Sequence, residues 1–222
     1  MAYRLLDLSQ PLQPGAVTFP GDPPVEIEGP YSAVPGPDRE YCYRLHLSSQ
    51  AGTHIQGPHY FLPDGRPLAA FALERCCGDA LVLDVRGRSL IGPADMAPLE
   101  GRKLAGRAIL LLTGYTARLL AAPPADLEAL LAGKPGLTLA GAQWLVAQGA
   151  QLIGVDSVGL EPGGSCGYSI NRLLCRHEVL IVEGLLGLEL LPAQGAWFAA
   201  LPLPIPTVEG TPCRAVAWLP ID

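Results

Sequence analysis

Hydrophobic residues in this chain come in short unbroken runs more often than in alternation. Ala80-Leu81-Val82-Leu83-Asp84-Val85 and Arg107-Ala108-Ile109-Leu110-Leu111-Leu112 are apolar runs of strand length, and Gln151 to Asp156 and Val179 to Val182 repeat the pattern. Runs without polar alternation suit central strands covered on both faces. Helical spacing appears between them. Leu127, Leu130 and Leu131 fall within Ala125 to Ala132, and Ala142, Leu145 and Val146 within Ala140 to Gly149, where Gly149 is a natural stop. Leu68 to Glu74 and Ile170 to Cys175 read as shorter helices. Tyr3 to Leu8 alternates weakly, Val25 to Ile27 is extended, and Tyr41 to Ser48 alternates as a strand does. Phe19 to Pro24 and Pro63 to Pro67 carry turn chemistry. With no internal repeat and no linker, the pattern predicts one α/β domain over residues 1–222 with a central, largely buried β-sheet.

Composition sharpens this. Of 222 residues, 49% are hydrophobic and only 16% charged, which is lean for the surface of a monomer and points to a sizeable subunit interface. None of the apolar runs approaches the roughly 20 residues that a membrane span needs. Net charge is −6, from 15 basic and 21 acidic residues with no basic run, so neither nucleic acid nor membrane is an expected partner. The first residues lack an apolar signal core, and a cytoplasmic location is expected. Six cysteines show no C-x-x-C spacing, which argues against a zinc ribbon or a thioredoxin-like site and for free, mostly buried thiols.

Candidate chemistry concentrates in Gln50-Ala51-Gly52-Thr53-His54-Ile55-Gln56-Gly57-Pro58-His59-Tyr60-Phe61, which holds two of the four histidines. Imidazoles and amides this close can converge on one small molecule or one metal ion. Gly52-Thr53-His54 with Pro58 and Phe61 resembles the metal-binding signature H-x-G-T-H-x-D-x-P-x-H of the cyclase superfamily, which includes the bacterial kynurenine formamidases and isatin hydrolases. Asp7-Leu8-Ser9 with Pro20-Gly21-Asp22-Pro23, Thr113-Gly114-Tyr115, the passage from Leu137 to Ser157, and the closing segments Phe198 to Pro204 and Gly210 to Ala217 extend the resemblance over most of the chain. It implies a swivelling β/β/α domain with a mixed central sheet, a homo-oligomer (dimer or tetramer), and a small-molecule carbonyl substrate. It also implies that the segment around Asp22 lines the pocket.

The chain departs from that signature at the ligands. Gln50 stands for the first histidine, Gln56 for the aspartate and Tyr60 for the last histidine; the family's second pair, a histidine and a glutamate twelve residues apart, corresponds to Asn171 and Glu183. Three ligand positions are therefore neutral amides, which are poor zinc ligands but offer both donors and acceptors. No cofactor is expected; a single weak zinc or manganese ion on His54 and Glu183 is the alternative. The expected catalytic groups are His54 or Glu183 as general base and Tyr60 as proton donor. Gln50, Thr53, Gln56, His59, Asn171, Thr113 and Ser157 are expected to bind substrate, with Thr53 and amide N–H groups at an oxyanion. Were Pro58 to Tyr60 extended, His59 would face away from Tyr60. His46 reads as a structural histidine and His177 as a solvated turn residue. Cys166 in the Gly-rich loop has no base fixed beside it, and that loop lacks a P-loop pattern. The function expected is hydrolysis of an amide or lactone, or a metal-free cyclisation, dehydration or isomerisation. The alternative is a non-catalytic relative whose amide-lined pocket binds a small ligand.

Overall fold

The computed structural model describes residues 2–16, 19, 21–34, 36–37 and 39–221, and of residue 124 only the backbone. Pro20, part of the turn expected at Phe19 to Pro24, lies outside the described residues. β1 (Ala2–Asp7) precedes a hairpin of β2 (Glu26–Tyr31) and β3 (Cys42–His46), then β4 (His54–Gln56) and β5 (Cys77–Asp84). β6 (Leu90–Ile91) and β7 (Arg107–Leu112) lead to helices α1 (Tyr115–Leu120) and α2 (Leu127–Ala132). There follow β8 (Gly136–Leu137), α3 (Leu139–Ala147), β9 (Leu152–Val155), α4 (Ser169–Arg176), β10 (Leu180–Glu183), β11 (Gln194–Pro202) and β12 (Gly210–Ile221).

The main sheet is mixed and closed. Its strand order is β12-β11-β5-β7-β9-β10-β4, and β4 pairs again with β12, so seven strands form a barrel with β1 added on β12. β5, β7, β9 and β10 are parallel neighbours; β11, β12 and β4 are antiparallel to theirs. Closure leaves none of the seven ring strands at an edge, and it was not among the sequence expectations. The twelve-residue β12 makes it possible: Gly210–Pro212 pair with β4, Cys213–Trp218 with β11, and Val216–Ile221 with β1.

The uninterrupted apolar runs are explained by two cores. In β7, Ala108, Leu110 and Leu112 join one cluster while Ile109 and Leu111 join the other; β10 divides its residues in the same way, Leu180 and Val182 against Ile181. The first cluster draws residues from every strand of the ring, including Phe198 and Ala215, and fills the barrel. The second packs the outer face of the parallel strands against α3 and α4 through Leu145, Ile170 and Leu174. Each leucine buried from both sides contributes on the order of 1.5–3 kcal/mol. Gly154 marks a tight point inside: a side-chain carbon there would lie 2.6 Å from Leu110 and 2.8 Å from Leu185.

Two local expectations change. Leu68 to Glu74 is not one helix but two 3₁₀ turns, Leu68–Ala70 and Leu73–Cys76, because Phe71 turns extended between them and drops into the core under the guanidinium of Arg66, 4.1 Å from its ring. The strand Tyr41 to Ser48 stops at His46 and lies in the separate β2–β3 hairpin, where Ile27, Tyr31, Tyr43 and Leu45 are exposed. The described cysteines are all free, and Cys42 and Cys166 are exposed rather than buried. No described helix is long and apolar enough to cross a membrane.

The parallel strands end at a carboxylate lock. Asp156 follows β9, and its Oδ1 accepts hydrogen bonds from the Thr113 amide (2.6 Å) and hydroxyl (2.6 Å), its Oδ2 one from the Gly114 amide (2.8 Å). Burial pushes the Asp156 pKa up and these bonds pull against it. Asp156→Ala leaves buried donors unpaired and should cost about 2–4 kcal/mol in urea unfolding. Gly154→Val should cost about 1–3 kcal/mol by overpacking the barrel, read in the same unfolding curves as a lower midpoint with an unchanged slope.

Candidate active site

The centre of the site is set by strand register. β4 runs antiparallel to β10 with His54 directly opposite Glu183 and Gln56 opposite Ile181, so His54 and Gln56 share the face that carries the Glu183 side chain. His54 Nδ1 donates to the Gly52 carbonyl oxygen at 3.0 Å, which leaves Nε2 directed at Glu183. Nε2 lies 3.5 Å from Glu183 Oε2, fully buried and with no aligned hydrogen bond. Gln56 Nε2 donates to Glu183 Oε1 at 2.9 Å. His54, Gln56 and Glu183 are 6%, 2% and 8% exposed, so the carboxylate and imidazole interact with little solvent screening.

These side chains close the polar end of a cavity of about 280 Å³, large enough for a small organic molecule. Asn171, on α4, and Gln50 also line it, while Phe61, Leu119, Leu131 and Tyr168 form apolar wall. Glu161 Oε1 caps α4 by accepting the Ile170 and Asn171 amides at 2.7 and 3.0 Å, which fixes Asn171 over the cavity. The Asn171 Oδ1 and Gln56 Oε1 atoms are buried without partners among the described residues. Tyr60 stands at the rim, 41% exposed, with its phenol pKa pushed up to about 12 by burial and then by Glu183 and Asp22.

The remaining candidates are placed elsewhere. The Thr53 hydroxyl donates to the Gly184 carbonyl at 2.7 Å and accepts the Gln10 amide at 2.8 Å, so it braces the loop under the site and has no proton left for an oxyanion. Thr113 turns to Asp156. Ser157 is fully buried with its hydroxyl unpartnered, and its carbonyl accepts the Gly184 amide at 2.9 Å. His59 is half-buried beside, not on, the cavity wall. The extended geometry considered for it is replaced by a 3₁₀ turn over Pro58–Tyr60, because Pro58 occupies its first position. Exposed His46 lies 3.6 Å from Glu28 on the hairpin, and His177 is exposed at the end of α4.

Three wall residues, Gln10, Glu161 and Lys134, escaped the sequence reading, as did Glu209, which holds the wall residue Gln50 from behind. Gln10 donates to the Gly184 carbonyl at 2.8 Å, and Glu209 accepts from Gln50 Nε2 at 3.1 Å and from the Ser49 hydroxyl. Glu161 caps α4. Lys134 is buried and lines the cavity. Its only sequence signal was rarity, since the chain has two lysines. Asp22 lines the cavity as well; burial raises its pKa and His54 lowers it.

A tightly held divalent metal does not fit this set of donors. Among the described residues no three His, Cys, Asp or Glu side chains form a metal-holding group. Gln56 and Gln50 turn their NH₂ groups toward Glu183 and Glu209, and the amide oxygens left open, on Gln56 and Asn171, are neutral donors that carry no charge to offset a cation. His54 and Glu183 remain at the centre; of the other described carboxylates in the wall, Glu161 is taken up by the α4 amides and Asp22 stands by itself.

Comparison with known proteins agrees with the architecture. The family model described as "Putative cyclase" matches residues 6–162. Kynurenine formamidase of Erythrobacter litoralis (strain HTCC2594) is 31% identical over 213 residues, covering 96% of this chain and 93% of that protein. Isatin hydrolase A from Ralstonia solanacearum superposes with a TM-score of 0.83 at 24% identity, covering 98% of this chain and 92% of that one. A predicted metal-dependent hydrolase from Bacillus stearothermophilus does so with a TM-score of 0.76 at 21% identity, covering 98% and 99%. The chain belongs to the cyclase family.

Proposed function

We propose that this protein is a hydrolase of small carbonyl compounds, opening an amide or a lactone with the Glu183–His54 pair as its acid–base machinery. The observation that carries this reading is the cross-strand pair itself: a buried carboxylate 3.5 Å from a buried imidazole whose far nitrogen is fixed by a main-chain carbonyl. Glu183 faces the cavity and takes a proton from water as the hydroxide adds to the carbonyl carbon; His54 Nε2 beside it shares that proton. The acyl C–N or C–O bond then breaks, and the same proton passes to the leaving nitrogen or oxygen. Gln50, Gln56 and Asn171 orient the substrate through hydrogen bonds, the last two with acceptors that no described residue satisfies. Tyr60, with its pKa near 12, serves as a hydrogen-bond donor at the rim rather than as the proton source. The kynurenine formamidase and isatin hydrolase names of the relatives support a hydrolase and set the first substrates to try. The exposed apolar face of the β2–β3 hairpin supports a homo-oligomer.

The unpaired amide oxygens favour a second reading, a pocket that binds a small ligand without turning it over. Assays with N-formylkynurenine, isatin and simple aromatic formamides and lactones separate the two. Glu183→Gln should lower kcat by about a thousandfold and His54→Ala by about a hundredfold, in folded protein. Tyr60→Phe should cost no more than about tenfold, the scale of one hydrogen bond. Saturable binding without product in the parent, weakened in Glu183→Gln and His54→Ala, would establish the second reading.

A further inference from the structure

Lys134 is one of two lysines in the chain and the one that is buried, 9% exposed in the wall of the catalytic cavity. Its ammonium donates to the Glu161 carbonyl oxygen and lies 3.5 Å from the Gly159 carbonyl oxygen. It makes no ion pair with any described residue. A buried ammonium held only by main-chain carbonyls is expensive and is retained where its charge is used.

Its charge is aimed at Glu183 across a small gap. A side-chain carbon added at Gly159 would lie 3.3 Å from Lys134 Nζ and 3.8 Å from each carboxylate oxygen of Glu183, and these are its nearest neighbours. Gly159 has φ of +119°, a conformation closed to residues with a Cβ, so the gap stays open. Ammonium and carboxylate therefore flank one space large enough for an oxygen atom. Burial lowers the Lys134 pKa, while Glu183 and Glu161 pull it back toward the charged form.

We propose that Lys134 is the resident cation of the site, supplying in place of a divalent metal ion the positive charge that holds an oxygen of water or substrate at the Gly159 gap against Glu183. The proposal rests on the hydrolytic reading for the identity of that oxygen, but its electrostatics do not depend on turnover. A neutral hydrogen-bonding shell of Gln50, Gln56 and Asn171 suits an ammonium already in place and would neutralise no divalent ion. A second cation entering beside Glu183 would meet the Lys134 charge at close range among buried side chains.

The test is calorimetric titration of chelator-treated protein with Mn²⁺, for wild type, Lys134→Gln, Lys134→Met and Lys134→Arg. Gln keeps a donor for the two carbonyls and Met keeps the length, so one folded neutral variant, checked by circular dichroism, is enough. The expected result is that a neutral variant binds Mn²⁺ at least about tenfold more tightly than wild type, from loss of the charge repulsion, and that Lys134→Arg behaves as wild type. Equal affinity in wild type and a folded neutral variant, including no detectable binding in either, would overturn the proposal. Since no turnover is read, this result stands apart from the Glu183 and His54 assays, and either can fail alone.

Discussion

β4 is three residues long, yet it is hydrogen-bonded to β10 on one side and to β12 on the other. Without it the sheet is open; with it seven strands close around a core that includes Leu110, Val182 and Phe198. The same three residues carry His54 and Gln56, and the same ladder sets His54 opposite Glu183. A slip of one residue would turn both side chains to the other face of the sheet, so the energy that closes the barrel also holds the proposed acid–base pair.

Around this pair the site is built from groups that satisfy one another. Glu183 receives Gln56, Glu209 receives Gln50, and Glu161 receives the first amides of α4. Three carboxylates are thus held by hydrogen bonds to neutral groups. Among the described residues the groups left over include the His54 Nε2 nitrogen, the Thr116 hydroxyl, the oxygens of Gln56 and Asn171, the Asp22 carboxyl and the charge of Lys134. A site with unpaired acceptors and one buried ammonium is prepared for a polar, neutral molecule more than for a bare divalent ion.

Much of the fold was legible because burial on both faces leaves a plain record. The runs at 80–85, 107–112, 151–156 and 179–182 all became strands of the barrel, and the helical spacings became α2, α3 and α4. Closure was not legible, since the pairing of β4 with β12 joins residues more than 150 positions apart and leaves no periodic trace. Phe71 shows a tertiary override: a helical spacing broke because the aromatic ring gained more by entering the core. At the site, motif spacing brought together Gln50, His54, Gln56, Tyr60, Asn171 and Glu183. It could not tell that the Thr53 and Thr113 hydroxyls would be consumed by main-chain and Asp156 partners. Nor could it find Lys134, whose place depends on the fold of the loop from Gly159 to Glu161.

The most direct measurement for the central claim is elemental analysis of protein purified without added metal and without chelator. A site run by Glu183, His54 and the Lys134 charge predicts zinc and manganese far below one ion per chain. Near-stoichiometric metal in that preparation would contradict it, because His54 and Glu183 would then have to recruit further ligands that the described residues do not bring together.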